Sequence, residues 1–248
     1  MREEIYLLVQ ALIGSIIALF GGVVFLFNRR LSNVLEKYSI PFAAGVMVTV
    51  SLIGLIPEAA HEIEELSYLL VLASFLTVYL FEHLFFEIHH HEEGHHIKVK
   101  FSSVGLVIFG DTIHNFIDGV AIGAGFMINP ALGLIVALST FLHEVPHEIG
   151  DFGILLKAGW KNAKILIVNI ISSLMTVIGA FVVYFFSPTM SISGILMAVS
   201  GGVFLYLGAS DFLPKIEIDS RNKLKNILPL LLGSLIIILV MYLVPHSD

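Results

Sequence analysis

Long apolar runs dominate the chain and place the strongest limit on its fold. A helix needs roughly 20 apolar residues to cross the ~30 Å hydrocarbon core of a bilayer. Eight such runs lie along the 248 residues, at 5–27, 40–60, 66–88, 101–128, 130–157, 162–187, 191–213 and 226–245. Hydrophobic residues make up 57% of the chain and charged residues 13%, which is unlike a soluble domain. The sequence therefore predicts an all-α integral membrane protein of eight transmembrane helices, built as one domain over residues 1–248.

The positive charges predict how these helices are oriented. Lys and Arg collect in the cytoplasmic loops of membrane proteins. Of the 13 Lys and Arg residues, Arg2 alone lies on the side of the termini. The opposite side carries Arg29, Arg30, Lys37, Lys98, Lys100, Lys157, Lys161, Lys164, Lys215, Arg221, Lys223 and Lys225. We therefore expect both termini outside, with the protein in the cell membrane, either an inner or a plasma membrane.

An acidic segment follows the second apolar run, on the expected outer side. It contains Glu58, His61, Glu62, Glu64 and Glu65 and no Lys or Arg. Such a segment could concentrate cations at an entrance. A solvated helix end is the alternative interpretation.

The second and seventh runs share a pattern that an inverted repeat would produce. Gly45 and Val46 precede Pro57 by the same interval by which Gly202 and Val203 precede Pro214. These two runs cross the membrane in opposite directions, as the halves of an inverted-topology transporter do. Chance similarity between two apolar helices would also explain the match.

Ionisable side chains cluster in the middle of the fourth and fifth runs. The residues concerned are Asp111, His114, Asn115, Asp118, His143, Glu144, His147, Glu148 and Asp151. A charge at the bilayer centre costs at least ~2.5 kcal/mol on insertion scales, so these groups need partners or a water-filled cavity. Simple helix packing would use Ser, Thr and Gly instead. The cluster therefore predicts a functional site inside the membrane.

Helical spacing predicts that this site binds metal. In the fourth run, His114 and Asp118 are one turn apart and share a helix face, with Asn115 beside them. In the fifth run, one stripe along the helix contains His143, His147 and Asp151. The adjacent stripe contains Glu144 and Glu148. Two antiparallel helices would bring His114, Asp118, His143 and His147 around one point. Nitrogen and carboxylate ligands suit Zn²⁺, and they also accept Fe²⁺, Mn²⁺, Co²⁺ or Cd²⁺. Asn115 and Glu144 could hold a second ion, and the absence of cysteine excludes thiolate ligands.

Two motifs in these runs resemble one family closely. HNFIDG at 114–119 and HEVPHEIGD at 143–151 resemble the HNxxDG and HExPHExGD patterns of one subfamily of ZIP (Zrt/Irt-like) metal transporters. The resemblance implies a ZIP-like bundle in which helices 1–3 and 6–8 form an inverted repeat around helices 4 and 5. It also implies a two-metal site, with His114, Asp118, His143 and His147 at the principal position and Asn115 and Glu144 at the adjacent one.

The resemblance points to two further features. Asn169 occupies the position at which some ZIP proteins place a carboxylate near the second metal, and an amide is a weaker ligand. A histidine-rich loop at 89–100 contains His89, His90, His91, His95 and His96. We expect this loop to be cytoplasmic, where it could receive or sense the metal, although its deletion could also prove almost harmless.

The resemblance further implies that divalent metal, zinc first, is imported into the cytoplasm as one helix bundle moves against another. On this hypothesis the ion enters from the acidic segment, binds the principal site and leaves past Glu148 and Asp151. We expect lipid and divalent metal ions as partners, no nucleic acid, and no enzymatic activity. The apolar faces of the third and sixth runs could support a homodimer.

Two other functions compete with this hypothesis. HEVPH matches HExxH, in which two histidines bind zinc and the glutamate acts as general base in a metalloprotease. Against an intramembrane protease, a proline separates the two histidines, and the fourth run supplies more ligands than one catalytic zinc requires. A gated metal channel or a membrane metal sensor would use the same ligands as a carrier.

Overall fold

The computed structural model describes residues 2–27, 29–86, 101–186, 189–216 and 223–244, and these residues form helices joined by short turns. The helices are α1 (Arg2–Gly14), α2 (Leu19–Phe27), α3 (Arg29–Val50), α4 (Ile56–Ile63), α5 (Leu66–Phe86), α6 (Phe101–Ile128), α7 (Pro130–Lys157), α8 (Asn162–Phe186), α9 (Met190–Tyr206) and α10 (Lys223–Leu243). The histidine-rich loop predicted at 89–100 lies outside the described residues.

The helices are those of a multi-pass membrane protein. Within the described residues, five stretches are long and apolar enough to cross a membrane, namely Arg2–Val24, Tyr38–Ile63, Leu66–Leu84, Asn162–Phe186 and Met190–Phe212. A shorter apolar helix covers Ile227–Leu243. Helices α6 and α7 have 28 residues each and begin and end where the fourth and fifth apolar runs do. Their polar residues lower their mean hydropathy.

The first apolar run is interrupted between α1 and α2. Around Ser15 the regular helical hydrogen bonds give way to bonds from Ile17 N to Leu12 O (3.2 Å) and from Ala18 N to Ser15 O (2.9 Å). The interruption lets both pieces pack closely on α7. A Cβ at Gly14 would meet Thr140, and a Cβ at Gly22 would meet Phe152.

The second and seventh runs share an irregular turn as well as a sequence pattern. A π-helical turn at Ser51–Leu55 joins α3 to α4, just before Pro57. Another at Leu207–Phe212 follows α9, just before Pro214. Proline has no N–H, and its ring clashes with the carbonyl four residues earlier. A π-turn widens the helix at that point and accommodates the ring.

Glycine brings the peripheral helices close to α3 and α9. Helix α3 packs against α10, where a Cβ at Gly45 would fall on the carbonyl oxygen of Leu230. Helix α9 packs against α5 in the same manner, where a Cβ at Gly202 would fall on the carbonyl oxygen of Val71. Small residues at such crossings allow the close van der Waals contact that drives helix association in lipid.

Four helices surround the centre of the molecule. Going around it, α3 packs against α7, α7 against α6, α6 against α9, and α9 with its π-turn against α3. Helices α1, α2 and α8 cover α6 and α7 on one side, and α5 and α10 cover α9 and α3 on the other. The polar residues of α6 and α7 thus lie inside a shell of apolar helices.

The close crossings predict a selective effect of added methyl groups. We expect Gly45→Ala or Gly202→Ala to lower the free energy of unfolding by about 1–3 kcal/mol, because each Cβ would push against a neighbouring backbone. Thermal unfolding of the detergent-solubilised protein measures this. Gly105→Ala is the control, since a Cβ there meets no atom within 4 Å. Equal midpoints for all three variants would contradict the packing described.

Candidate metal centre

A tight turn sets the register between α6 and α7. Asn129 caps α7, its side-chain oxygen accepting a hydrogen bond from Ala131 N (2.8 Å). Gln10 of α1 donates from Nε2 to the carbonyl oxygen of Pro130 (2.9 Å) and ties the turn to α1. A Cβ at Gly125 would approach Gly133 closely, so the two helices lie near each other at this end. The polar faces of α6 and α7 therefore meet deeper in the bundle.

Four buried ligand groups converge between these helices. His114, Asp118, His143 and Glu144 each offer one ligand atom, and these atoms lie within 4.8 Å of one another. Nε2 of His114 lies 2.8 Å from Oε1 of Glu144, and Oδ2 of Asp118 lies 3.3 Å from Nε2 of His143. Zinc bonds of 2.0–2.2 Å in a tetrahedron place ligand atoms about 3.3 Å apart. These four residues, the first cluster, could hold a metal ion.

The orientation of His143 suits a ligand. Its Nδ1 lies 2.9 Å from the carbonyl oxygen of Ser139, which can only accept, so Nδ1 carries the hydrogen. Nε2 then presents its lone pair to Asp118. Both oxygens of Asp118 and Nε2 of His143 are buried and have no hydrogen-bond partner among the described residues. Lone pairs facing each other in a buried site are stabilised by a cation between them.

A second cluster consists of carboxylates alone. Asp111, Glu144 and Glu148 are buried, with ligand oxygens within 4.8 Å of one another. Glu144 belongs to both clusters and joins them. Three carboxylates this close repel one another in a medium of low dielectric unless a cation compensates their charge. The second cluster could therefore hold another divalent ion beside the first.

Asp111 was not among the ligands predicted from the sequence, although the spacing contained a signal. It lies one turn before both His114 and Asn115, on the same face of α6. Asn115 donates from Nδ2 to Oδ1 of Asp111 (2.8 Å) and accepts at its own Oδ1 from Thr176 of α8 (3.0 Å). In this structure Asn115 orients Asp111, and its role as a direct ligand stays a prediction.

His147 lies beside the first cluster. Its ring stacks on that of His114, with centroids 4.5 Å apart, and also contacts Phe212 at 5.5 Å. The sequence predicted His147 in the principal set, whereas the structure brings Glu144 to the converging atoms. Both stripes of α7 face His114, because His143 and Glu144 lie in the first cluster and His147, one turn after His143, stacks on the ring of His114.

The remaining predicted residues lie outside the two clusters. Asn169 is buried on α8, and its side chain donates to the carbonyl oxygen of Ile165 (2.8 Å). Ser173 lies one turn after Asn169, and its hydroxyl lies 3.5 Å from Glu148. Asp151 is partly exposed near the end of α7 and belongs to neither cluster. In the acidic segment His61, Glu64 and Glu65 are exposed.

Comparison with known proteins decides the family. The family model described as ZIP zinc transporter matches residues 100–241, more than half of the chain, including both clusters. The chain belongs to the ZIP zinc transporter family. Its membership confirms the resemblance seen in the HNFIDG and HEVPHEIGD motifs.

Curated relatives of this ZIP protein carry zinc transporter names. It is 38% identical over 130 residues to Zinc transporter foi of Drosophila melanogaster, which is 52% of this chain and 18% of that protein. It is 40% identical over 112 residues to human Zinc transporter ZIP10, 45% of this chain and 14% of that protein. Human Zinc transporter ZIP4 is 38% identical over 109 residues, which are 44% of this chain and 17% of that protein. The matched region thus covers less than a fifth of each relative.

The clusters predict that zinc stabilises this ZIP protein. We expect millimolar Zn²⁺ to raise the thermal midpoint of the detergent-solubilised protein, because a ligand that binds only the folded state stabilises it. Asp118→Asn should lose most of that rise. Asp211→Asn is the matched control, since Asp211 belongs to neither cluster, and it should keep the rise. A rise that survives Asp118→Asn would place the bound zinc elsewhere.

Proposed function

We propose that this protein carries zinc across a membrane through the two clusters on α6 and α7. The observation that carries the proposal is the convergence of His114, Asp118, His143 and Glu144, all buried, within two helices of membrane-spanning length. Buried ionisable groups in such helices mark ion pathways. The names of the relatives support zinc as the substrate, and the ligand types would also accept iron, manganese, cobalt or cadmium.

The proposed architecture is a single domain over residues 1–248 with eight membrane-spanning helices. The five apolar stretches supply five of these helices, and α6, α7 and α10 supply the other three. Both termini then lie outside, and exposed Lys157, Lys161 and Lys164 lie at the cytoplasmic surface. The loop at 89–100 is cytoplasmic in this arrangement. We place the protein in the cell membrane.

An inverted repeat relates helices 1–3 to helices 6–8 in this proposal. The matching π-turns before Pro57 and Pro214 support it. The two glycine crossings, Gly45 on α10 and Gly202 on α5, support it as well. If the repeat relates helix 2 to helix 7 and helix 3 to helix 8, a contact between helices 2 and 8 must recur between helices 7 and 3. The ligands lie on the two helices between the repeats, where such transporters bind substrate.

The proposed direction of transport is inward. Zinc is attracted by the acidic segment, binds the first cluster with His147 beside it, and leaves past Glu148 and Asp151. Glu144 passes the ion between the clusters because it belongs to both. An inside-negative potential favours import by ~2.3 kcal/mol per charge per 100 mV. At the second cluster Asn115 orients Asp111, and Asn169 lies one turn before Ser173, which contacts Glu148.

Movement of one bundle against another fits the hydrogen bonds. In the first group, α1, α2, α6, α7 and α8, Thr176 bonds Asn115 and Gln10 bonds Pro130. In the second group, α3, α4, α5, α9 and α10, Tyr206 donates to Glu82 and Ser234 donates to Gly45 O. These bonds each join helices of the same group. The ligands all belong to the first group, which we propose moves as a unit.

The competing functions receive less support. The family and the relatives' names favour a transporter over a metalloprotease that would use the HEVPH segment. A channel or a sensor would share the same clusters, and flux measurements separate these from a carrier. A homodimer stays a prediction. The exposed apolar faces of α5 and α8 suit lipid.

Uptake of radioactive zinc into liposomes tests the proposed function. We expect saturable uptake by the wild-type protein and at least a tenfold loss in His143→Ala. Loss of a group that only supports a metal ligand typically costs about 10–100-fold, and loss of a ligand should cost at least as much. His83→Ala is the matched control because His83 lies on α5, outside both clusters and outside the acidic segment. Zinc binding without uptake would support a sensor or a protease, and a peptide-cleavage assay would then distinguish them.

Binding stoichiometry tests the shared role of Glu144. We expect Asp111→Asn to remove one bound zinc and Glu144→Gln to weaken both, because only Glu144 belongs to both clusters. Equilibrium dialysis of the purified variants measures the bound metal. Identical losses in the two variants would contradict a bridging role for Glu144.

A further inference from the structure

We propose that Ser139 of α7 and Ser200 of α9 form an access site for the hydrated metal ion, one helical turn outside the first cluster. The site rests on the proposed function and its inward direction. Neither serine lies within the two motifs, and neither is a ligand of a cluster. Both are buried, with side-chain oxygens that have no hydrogen-bond partner among the described residues.

The two serines differ from other hydroxyl residues of the same bundle. A serine inside a helix usually donates to the carbonyl four residues earlier. Ser15, Ser51, Ser74 and Ser173 do so here, at 2.7–2.8 Å. Ser139 and Ser200 have the same kind of backbone acceptor within reach, yet their hydroxyls point away from it. A buried hydroxyl in this state needs a partner that comes from outside the described chain.

The two hydroxyls lie at one level on facing helices. The ring of His143 contacts Phe204 at 5.1 Å, and the ring of His147 contacts Phe212 at 5.5 Å. Residue numbers rise together along both helices, so α7 and α9 run parallel. Ser139 is one turn before His143 and Ser200 one turn before Phe204, so each shares the face that meets the other helix.

The space between α7 and α9 is the centre of the four-helix ring. Large rings bridge that centre at the level of the first cluster. One turn outward, toward the Asn129 turn, both helices present serine instead. Small hydroxyl side chains across a diagonal of the ring offer polar contacts to an ion that enters between the helices.

The neighbouring Thr140 shows that burial alone does not define the site. Its hydroxyl is also buried and has no hydrogen-bond partner among the described residues. However, the Thr140 side chain lies on the α1 side of α7, because a Cβ at Gly14 would lie 3.2 Å from its Cγ2. Thr140 therefore points away from the ring centre and serves as the matched control.

The chemistry of the site is outer-sphere contact. A hydroxyl oxygen is a weak zinc ligand, but its lone pairs accept hydrogen bonds from water bound to a divalent ion. Ser139 and Ser200 can thus hold the hydrated ion before it exchanges water for His114, Asp118 and His143. This order places a weak site before a strong one, which lets the ion enter without a large barrier.

Single cysteines test the position of this route, because the native chain has no cysteine. We expect a charged, membrane-impermeant methanethiosulfonate reagent, added from outside, to modify Ser139→Cys and Ser200→Cys during transport. Zn²⁺ should slow the modification. Thr140→Cys should stay unmodified under the same conditions. Failure to modify both cysteines while wild-type liposomes take up zinc would overturn the proposal.

Alanine variants test the role of the hydroxyls. We expect Ser139→Ala combined with Ser200→Ala to lower kcat/KM for zinc uptake about fivefold, with the zinc affinity of the clusters unchanged in equilibrium dialysis. A structural role would lower the thermal midpoint as well. Unchanged uptake kinetics would show that the hydroxyls do not contact the ion. Absence of uptake by the wild-type protein would instead refute the proposed function, and the labelling result would still report access to these positions.

Discussion

Burial of carboxylates and imidazoles in the middle of membrane-length helices is the constraint on which this structure depends. His114, Asp118, His143 and Glu144 bring their ligand atoms within 4.8 Å of one another in an environment that penalises uncompensated charge. The carboxylates of Asp111, Glu144 and Glu148 lie equally close together, and their mutual repulsion adds to this cost. A divalent cation reduces this cost more effectively than any side chain in the vicinity. The preference of the site for metal thus follows from electrostatics as much as from ligand chemistry.

Glycine and alanine make this arrangement geometrically accessible. Gly119 and Gly179 let α6 and α8 approach until a Cβ on either would fall on the other's backbone. At that distance Thr176 of α8 reaches Asn115, which in turn holds Asp111. Helix α8 carries no cluster residue, yet through these contacts it fixes the position of Asp111 in the second cluster. It also ties α8 to α6 within the first group.

The interface between the two groups has a different character. Within each group, helices are joined by hydrogen bonds and by glycine crossings, whereas the rings of His143 and His147 meet Phe204 and Phe212 across the boundary. Apolar and aromatic contacts are less directional than hydrogen bonds, so they tolerate sliding better. A bundle that carries all the ligands and slides against such a surface can change access to the metal without breaking the clusters.

The sequence by itself determined the helical membrane class, the extents of α6 and α7, and the residue types of the site, because apolar run length and helical periodicity are local properties. It also identified the ZIP family through two motifs, which the family comparison confirmed. Only the tertiary structure decided that Glu144 joins the converging atoms, that Asp111 completes a second cluster, and that α1 breaks from α2. Helical spacing defines which residues share a face. The rotation of that face toward a neighbour depends on long-range packing at crossings such as Gly119 with Thr176.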